Sequence, residues 1–281
     1  MKKEIILIFL ALSAIIISCN DEKMSNKIEL STKINKISPS TWHRLAEKRI
    51  YFGHQSVGQN IIEGIEDLKK EYPQIKLNII ELEKDNSDLT SPGLYHSPIG
   101  ENTKPRSKIA HFSGIAKDIL NGKADIALFK FCYIDVTPNT NVKELFENYK
   151  QTTARLKSDY PEIKFVNVTM PLVRVQTGPK AWIKKILGKP ITGIEDNIKR
   201  GEFNQLMRQE YEGKEPIFDL AKIESTFPDG SRLQQVKGDA TFYALVPEFT
   251  YDDGHLNEVG RRQVAAEFVS VLAQVSMDQT R

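Results

Sequence analysis

Apolar positions along the chain alternate between two periods. Runs of strand length occur at 49–52 (RIYF), 76–82 (KLNIIEL), 124–131 (ADIALFKF), 164–170 (KFVNVTM) and, more weakly, 216–220 (PIFDL). Between them the apolar residues recur at helical spacing, which predicts helices over 57–71, 107–120, 141–158, 200–212 and 257–273. In the first of these, Ile61, Ile62, Ile65 and Leu68 share one face, and Ser56 precedes it as a preferred capping residue; Asn141 does the same for the third. Strands alternating with helices are the pattern of an α/β fold with a five-stranded parallel sheet wrapped by helices. Two connections, 83–106 and 171–199, are long for a compact domain, and loops of that length tend to be functional. In open α/β sheets ligands sit beyond the carboxyl ends of the strands. Ser56, Gly100, Cys132 and Pro171 are expected to gather there.

The first forty residues follow neither period. Lys2 and Lys3 precede an apolar run at 5–17 that ends in ISCN around Cys19, too short to span a bilayer comfortably but suited to the apolar core of a signal peptide. Ser18 directly before Cys19 resembles a bacterial lipobox, in which cleavage leaves a lipidated cysteine as the new N-terminus. The chain therefore divides into a signal peptide (1–18), a lipidated Cys19 with a polar tether (19–40) and an α/β domain (41–281), with an uncleaved N-terminal anchor as the alternative. Either reading ties the domain to a membrane in the bacterial cell envelope. If Cys19 carries lipid, Cys132 has no partner for a disulfide. Lysine plus arginine, 39 residues, nearly cancels aspartate plus glutamate, 37, with no long block of either sign, so the charge gives no case for nucleic acid.

The chemistry must be read from single residues. A serine hydroxyl is a weak nucleophile unless a base takes its proton, and the base works best when a third group fixes its tautomer. Ser56, in YFGHQSVGQNII, sits where a strand turns into a helix, so free backbone N–H groups and the positive end of the helix dipole converge on it. Such a place stabilises a developing oxyanion. Near the other end, YDDGHLNEVGRR offers Asp252 and His255 three positions apart in a turn, with Asp253 as the competing acid. Taken singly, Ser56 is also a helix cap and His255 a surface residue. Serine, acid and histidine in this order at the ends of an α/β chain make the combined reading the stronger one.

In these residues the chain resembles the SGNH/GDSL-type hydrolases, whose serine follows the first strand, whose acid and histidine form a DxxH motif near the C-terminus, and whose fold is a flavodoxin-like three-layer sandwich. The matching positions are Ser56, Asp252 and His255, with HLNEVGRRQVAAEF, VNVTMP and NQLMRQEY as further similar stretches. The resemblance implies an esterase that works through an acyl-serine intermediate, without a cofactor or metal, on an ester substrate; an envelope location points to acetyl groups on a glycan. The first block departs from the family, reading GHQS rather than GDS, and the third lacks the family's GxND asparagine. The family's oxyanion donors carry over to Gly100 in SPIGENTKP, and Asn102, Tyr133 or His54 could replace the missing asparagine. Two other functions stay open: an O-acetyltransferase using the same three residues, and a non-catalytic glycan-binding lipoprotein. A metal held by His54, Asp252, Asp253 and His255 lacks any paired ligand spacing. Cys132 ends an apolar strand and reads as a buried small hydrophobe. Residues 177–193 (TGPKAWIKKILGKPITG) interleave lysines with large apolar residues, as a lid, a membrane-surface helix, or a helix packing its apolar side on the domain.

Overall fold

A computed structural model describes residues 33–82 and 88–277. The expectations for the signal peptide, Cys19 and the start of the tether lie outside these residues. Order begins before residue 40, however. Ile34 is fully buried, and a helix, α1 (Pro39–Ala46), brings Trp42 and Leu45 into the core. Ser38 caps it, accepting from the Thr41 amide, and Pro39 supplies a pre-set φ in the first turn.

The central sheet is built from β1 (Arg49–His54), β2 (Ile79–Glu81), β3 (Gly93–Pro98), β4 (Ile126–Phe129), β5 (Lys164–Val168) and β6 (Ile217–Phe218). Every pairing in it is parallel, and the spatial order is β2-β3-β1-β4-β5-β6. The sheet thus has six strands where five were expected. The extra one, β3, lies inside the stretch expected to be a connection. Its sequence, GLYHSP, breaks the apolar run with His96 and Ser97, yet it pairs on both sides, with β1 and with the edge strand β2.

Six longer helices and one short one complete the fold: α2 (Ser56–Glu71), α3 (Pro105–Ile115, continued by a π-turn Ala116–Leu120), α4 (Val142–Asp159), α5 (Gly178–Ile186), α6 (Ile194–Tyr211), the short α7 (Leu220–Glu224) and α8 (Glu258–Met277). They form two layers. Period two in β1 sends Ile50 and Phe52 to one face, clustered with Ile61 and Ile65 of α2 and Val264 and Phe268 of α8, and Tyr51 to the other, clustered with Phe129 of β4 and with Phe112, Tyr149 and Phe203 of the opposite helix layer. Full burial of Phe52 and Phe268 stabilises the fold by roughly 1.5–3 kcal/mol each. The helices α2 and α8 approach closely because Gly64 has no side chain; a Cβ there would lie 2.3 Å from the Arg261 carbonyl oxygen. A small antiparallel hairpin, β7 (Gln234–Lys237) and β8 (Ala240–Tyr243), packs Phe242 against Val175. It was not expected, since it holds too few apolar residues to register as a pattern. Among the described residues no helix is long and apolar enough to cross a membrane.

The chain leaves β1 toward β3 on one side and returns as β4 on the other. Such a reversal is where open α/β sheets place their ligand crevice, here beyond the carboxyl end of β1, among the segments after β1, β3 and β4.

Candidate active site

The first wall of the crevice is the β1 to α2 corner. Gln55, rather than Ser56, is the N-cap position, and its side chain caps nothing; Ser56 is the first helical residue. The Gln55 amide instead donates to the carbonyls of Ile99 (2.9 Å) and Gly100 (3.2 Å), which ties the corner to the segment after β3. Ser56 is half-buried, and among the described residues its hydroxyl makes no hydrogen bond and its amide has no acceptor. A free amide at the first turn carries the partial positive charge of the helix terminus.

Just before the corner, His54 is 3% exposed. Its Nδ1 lies 3.2 Å from the Gln55 carbonyl and its Nε2 3.1 Å from Nδ1 of His96 on β3. One proton arrangement satisfies both contacts: Nδ1–H of His54 donates to the carbonyl, and Nε2 accepts from Nδ1–H of His96. Both rings are then neutral. Burial, with the nearby Lys130 charge adding to it, drives the His54 pKa down to about 3. Gly58 makes room for this ring, since a Cβ at that position would come within 2.2 Å of the His54 side chain.

The second wall is the turn before α8. Asp252 Oδ1 accepts from the amides of Gly254 (3.1 Å) and His255 (2.7 Å), and its Oδ2 lies 2.6 Å from His255 Nδ1. Burial alone would raise the Asp252 pKa, but these bonds outweigh it and hold the carboxyl below the usual carboxylate range. The acid therefore fixes the tautomer with Nδ1 protonated and leaves Nε2 as the basic nitrogen. Asp253, the competing acid, turns away. It has φ of 75°, forms an ion pair with Arg174 (3.4 Å), and its carbonyl accepts from the Arg174 amide (2.8 Å). The four residues considered as metal ligands are accordingly not gathered, with His54 held on His96 and Asp253 on Arg174.

Asn60 joins the two walls. Its side-chain oxygen accepts from the Leu256 amide at 3.1 Å, directly after His255. Asn60 lies one turn along α2 from Ser56, on the same helix face, so the histidine turn is clamped to the face that begins with the serine. Asn257 caps α8 by accepting from the Gly260 amide (3.0 Å), and Gly260 lets the Phe249 carbonyl approach to where a Cβ would be only 2.4 Å away. These two contacts explain why asparagine and glycine follow the histidine.

The remaining walls come from the segments after β3 and β4. Gly100 has φ of 52°, and its amide donates to His111 Nδ1 (2.9 Å), so that N–H is already engaged. Asn102 is exposed, and its oxygen accepts from Lys108 Nζ (3.0 Å), which leaves its amide hydrogens free. Lys108 itself is fully buried and pairs with Asp135 at 2.5 Å; Asp135 also accepts from the amides of Thr103 (2.9 Å) and Cys132 (2.6 Å). One buried ion pair thereby locks the two loops together. Tyr133 is half-buried, stands edge-on to His255 with centroids 5.6 Å apart, and has its hydroxyl beside Gly254, where a Cβ would come within 3.0 Å of it. Cys132 is buried as a free thiol. Beneath them, Arg200 donates to the Tyr133 carbonyl (2.7 Å) and Glu224 accepts from the Leu172 amide (2.6 Å). Burial pushes Glu224 up to about 8 and lowers Lys130 to about 8.

Ser56, Asp252 and His255 are thus connected through one helix and one turn, Tyr133 stands against His255, Gly100 is tied to the corner by Gln55, Asn102 is held by Lys108, and His54 packs beneath the corner. Sequence reasoning missed Asn60, His96, Lys108 and Asp135. Lys108 left a trace, since it sits one turn before Phe112 on the apolar face of a helix, where an unpaired lysine is costly.

No protein-family model matches this chain, and no curated protein matches it either. Among solved structures it is similar to a protein from Streptococcus pneumonia named for platelet activating factor (15% identity, TM-score 0.47, 93% of this chain and 99% of that one). It is also similar to the periplasmic domain of a lipopolysaccharide acetyltransferase from Salmonella ser. Paratyphi A (9%, TM-score 0.41, 78% and 81%). A third likeness is to a salicylyl-acyltransferase from a tetracycline biosynthetic pathway (11%, TM-score 0.42, 83% of this chain and 56% of that one). At these values the function has to be argued from the site itself.

Proposed function

We propose that the protein is a serine esterase of the SGNH/GDSL kind. The observation that carries this reading is the Asp252–His255 pair, its Nδ1 committed to the acid, on a turn clamped through Asn60 to the helix face that starts with Ser56. Ser56 Oγ attacks the ester carbonyl as its proton passes to His255 Nε2, forming a tetrahedral intermediate. The Ser56 amide and the Tyr133 hydroxyl donate to its oxyanion, with the amide hydrogens of Asn102 as a further donor on this reading. The carbon–oxygen bond to the leaving alcohol breaks, the alcohol takes the proton from Nε2, and an acyl-serine remains. Water then attacks that acyl group, giving its proton to Nε2, and Ser56 is released with its own proton restored. Asp252 stays ionised throughout and stabilises the imidazolium.

Two lysines and an apolar run before Cys19 support a lipid anchor in the bacterial envelope, and that location favours O-acetyl groups on carbohydrate as the substrate. The test is intact-mass analysis of the protein after exposure to a fluorophosphonate probe, alongside Ser56→Ala. One adduct, absent from the variant, is the expected result. No adduct in folded protein, with a reactive control enzyme present, would overturn the esterase reading and favour a glycan-binding role on the same fold.

A further inference from the structure

The segment 171–193 leaves the carboxyl end of β5 and is pinned at its feet, where the Gln176 amide donates to the Thr192 carbonyl (3.0 Å) and Arg174 contacts Asp253 of the histidine turn. Between the feet rises α5. Of its residues only Ala181 is buried, while Trp182, Ile183 and Ile186 are 65%, 50% and 62% exposed, with Leu187 just beyond at 60%. At about 100° per residue these four share one arc, and Ala181 lies on the opposite side. The helix therefore packs through its small residue and presents its large apolar face outward, contrary to the simpler expectation that this face packs on the domain.

Charge identifies what that face fits. Lys180, Lys184, Lys185 and Lys189 surround it, and no carboxylate occurs from 177 to 193. A second copy of the chain meeting it about a two-fold axis would oppose lysines to lysines. An anionic lipid surface accepts both components: the apolar arc enters the boundary of headgroups and acyl chains, and the lysines stay among the lipid phosphates. Tryptophan suits that depth because its ring is apolar and its N–H is polar. We propose that α5 is a membrane-surface helix that docks the crevice end of the domain against anionic lipid. This contact is separate from any lipid on Cys19 and does not depend on the esterase reading.

The chain contains two tryptophans, and Trp42 is buried, so subtracting the spectrum of Trp182→Phe isolates Trp182. The full chain would be reconstituted into vesicles of phosphatidylcholine with or without phosphatidylglycerol, and into the same vesicles with brominated acyl chains. The expected result, in phosphatidylglycerol vesicles, is a shift of Trp182 emission to shorter wavelength, a several-fold loss of iodide quenching, and quenching by the brominated lipid. Lys180→Gln, Lys185→Gln and Lys189→Gln combined should reverse most of this. Trp182 left open to iodide in anionic vesicles would overturn the proposal. So would protection from iodide without quenching by brominated lipid, which assigns the face to a second copy if it grows with protein density and to another segment of this chain if it does not.

Discussion

Among the described residues, the bonds of Asp252 go to groups within three positions of itself, whereas His54 and Gln55 reach residues 42 to 45 positions further along the chain. On the histidine side the Asp252–His255 pairing is local to its turn and half open to water, while Asn60 and Arg174 hold the flanks of that turn. The serine side is a buried corner whose shape depends on β3, on the loop after it and on the Lys108–Asp135 pair. Each side should therefore fail in its own way. Damage to the turn should remove chemistry and leave the fold, while damage behind the corner should reach the fold first.

The largest expected effect tests the first half of that contrast. Asp252→Asn should lower ester turnover by about 10⁴-fold, the loss that a wrong ring tautomer causes in a serine triad. Its unfolding free energy should change by only about 1 kcal/mol or less, read from denaturant titration. A loss of several kcal/mol would mean that the Asp252–His255 bond is part of what holds the fold. Asp135→Ala should do the opposite, costing about 3–5 kcal/mol by leaving Lys108 charged and unpaired in the interior. If that variant unfolds at the wild-type denaturant concentration, the buried pair does not hold the two loops.

Two glycines sharpen the comparison by sign. Gly58→Ala pushes a methyl group into His54 and should destabilise by about 1–3 kcal/mol, although alanine is the better helix former. Gly201→Ala in α6, where among the described residues nothing beyond the helix's own turn lies within 4 Å of the added carbon, should stabilise by about 0.5–1 kcal/mol. Thermal or denaturant melts of the two variants should move in opposite directions, and movement in the same direction would remove the steric account of the corner.

The most gradual effect is in pH. The native His54 pKa is depressed to about 3 against an ordinary 6.5, so between those values the unfolded chain binds a proton that the folded one does not. Its contribution to stability is complete above about pH 6.5 and declines as pH falls, at no more than about 1.4 kcal/mol per unit. His54→Gln should flatten that part of the stability curve relative to wild type. Identical slopes for the two proteins would place the acid sensitivity elsewhere.

The same contrast governs what could be read in the sequence. The alternation of strand and helix periods appeared because both faces of the sheet are covered, which forces continuous apolar runs in β1, β4 and β5. Asp252 and His255 were legible because their bond is local, and spacing within a turn is visible in one dimension. β3 was not, since its burial comes from pairing on both sides rather than from its own polar-interrupted residues. Gln55 took the cap position expected for Ser56, a change of one residue with chemical weight, because it frees the serine from capping. Gly100 was expected after the second strand and lies instead just beyond the unexpected β3, and its bond to His111 depends on a helix turn that periodicity does not describe. The exposure of the α5 face was equally hidden, since an apolar stripe looks the same whether it faces a core or a bilayer.

The close contact between α2 and α8 has a consequence in time. Ser56 precedes its partner helix by some two hundred positions, and α8 is the last helix among the described residues. Since domains are made from the N-terminus onward, the corner must wait for α8 to dock before His255 can stand near it. On the proposed reading, a chain without a docked α8 would hold its serine without a positioned base, so reactivity at Ser56 would report that α8 had docked.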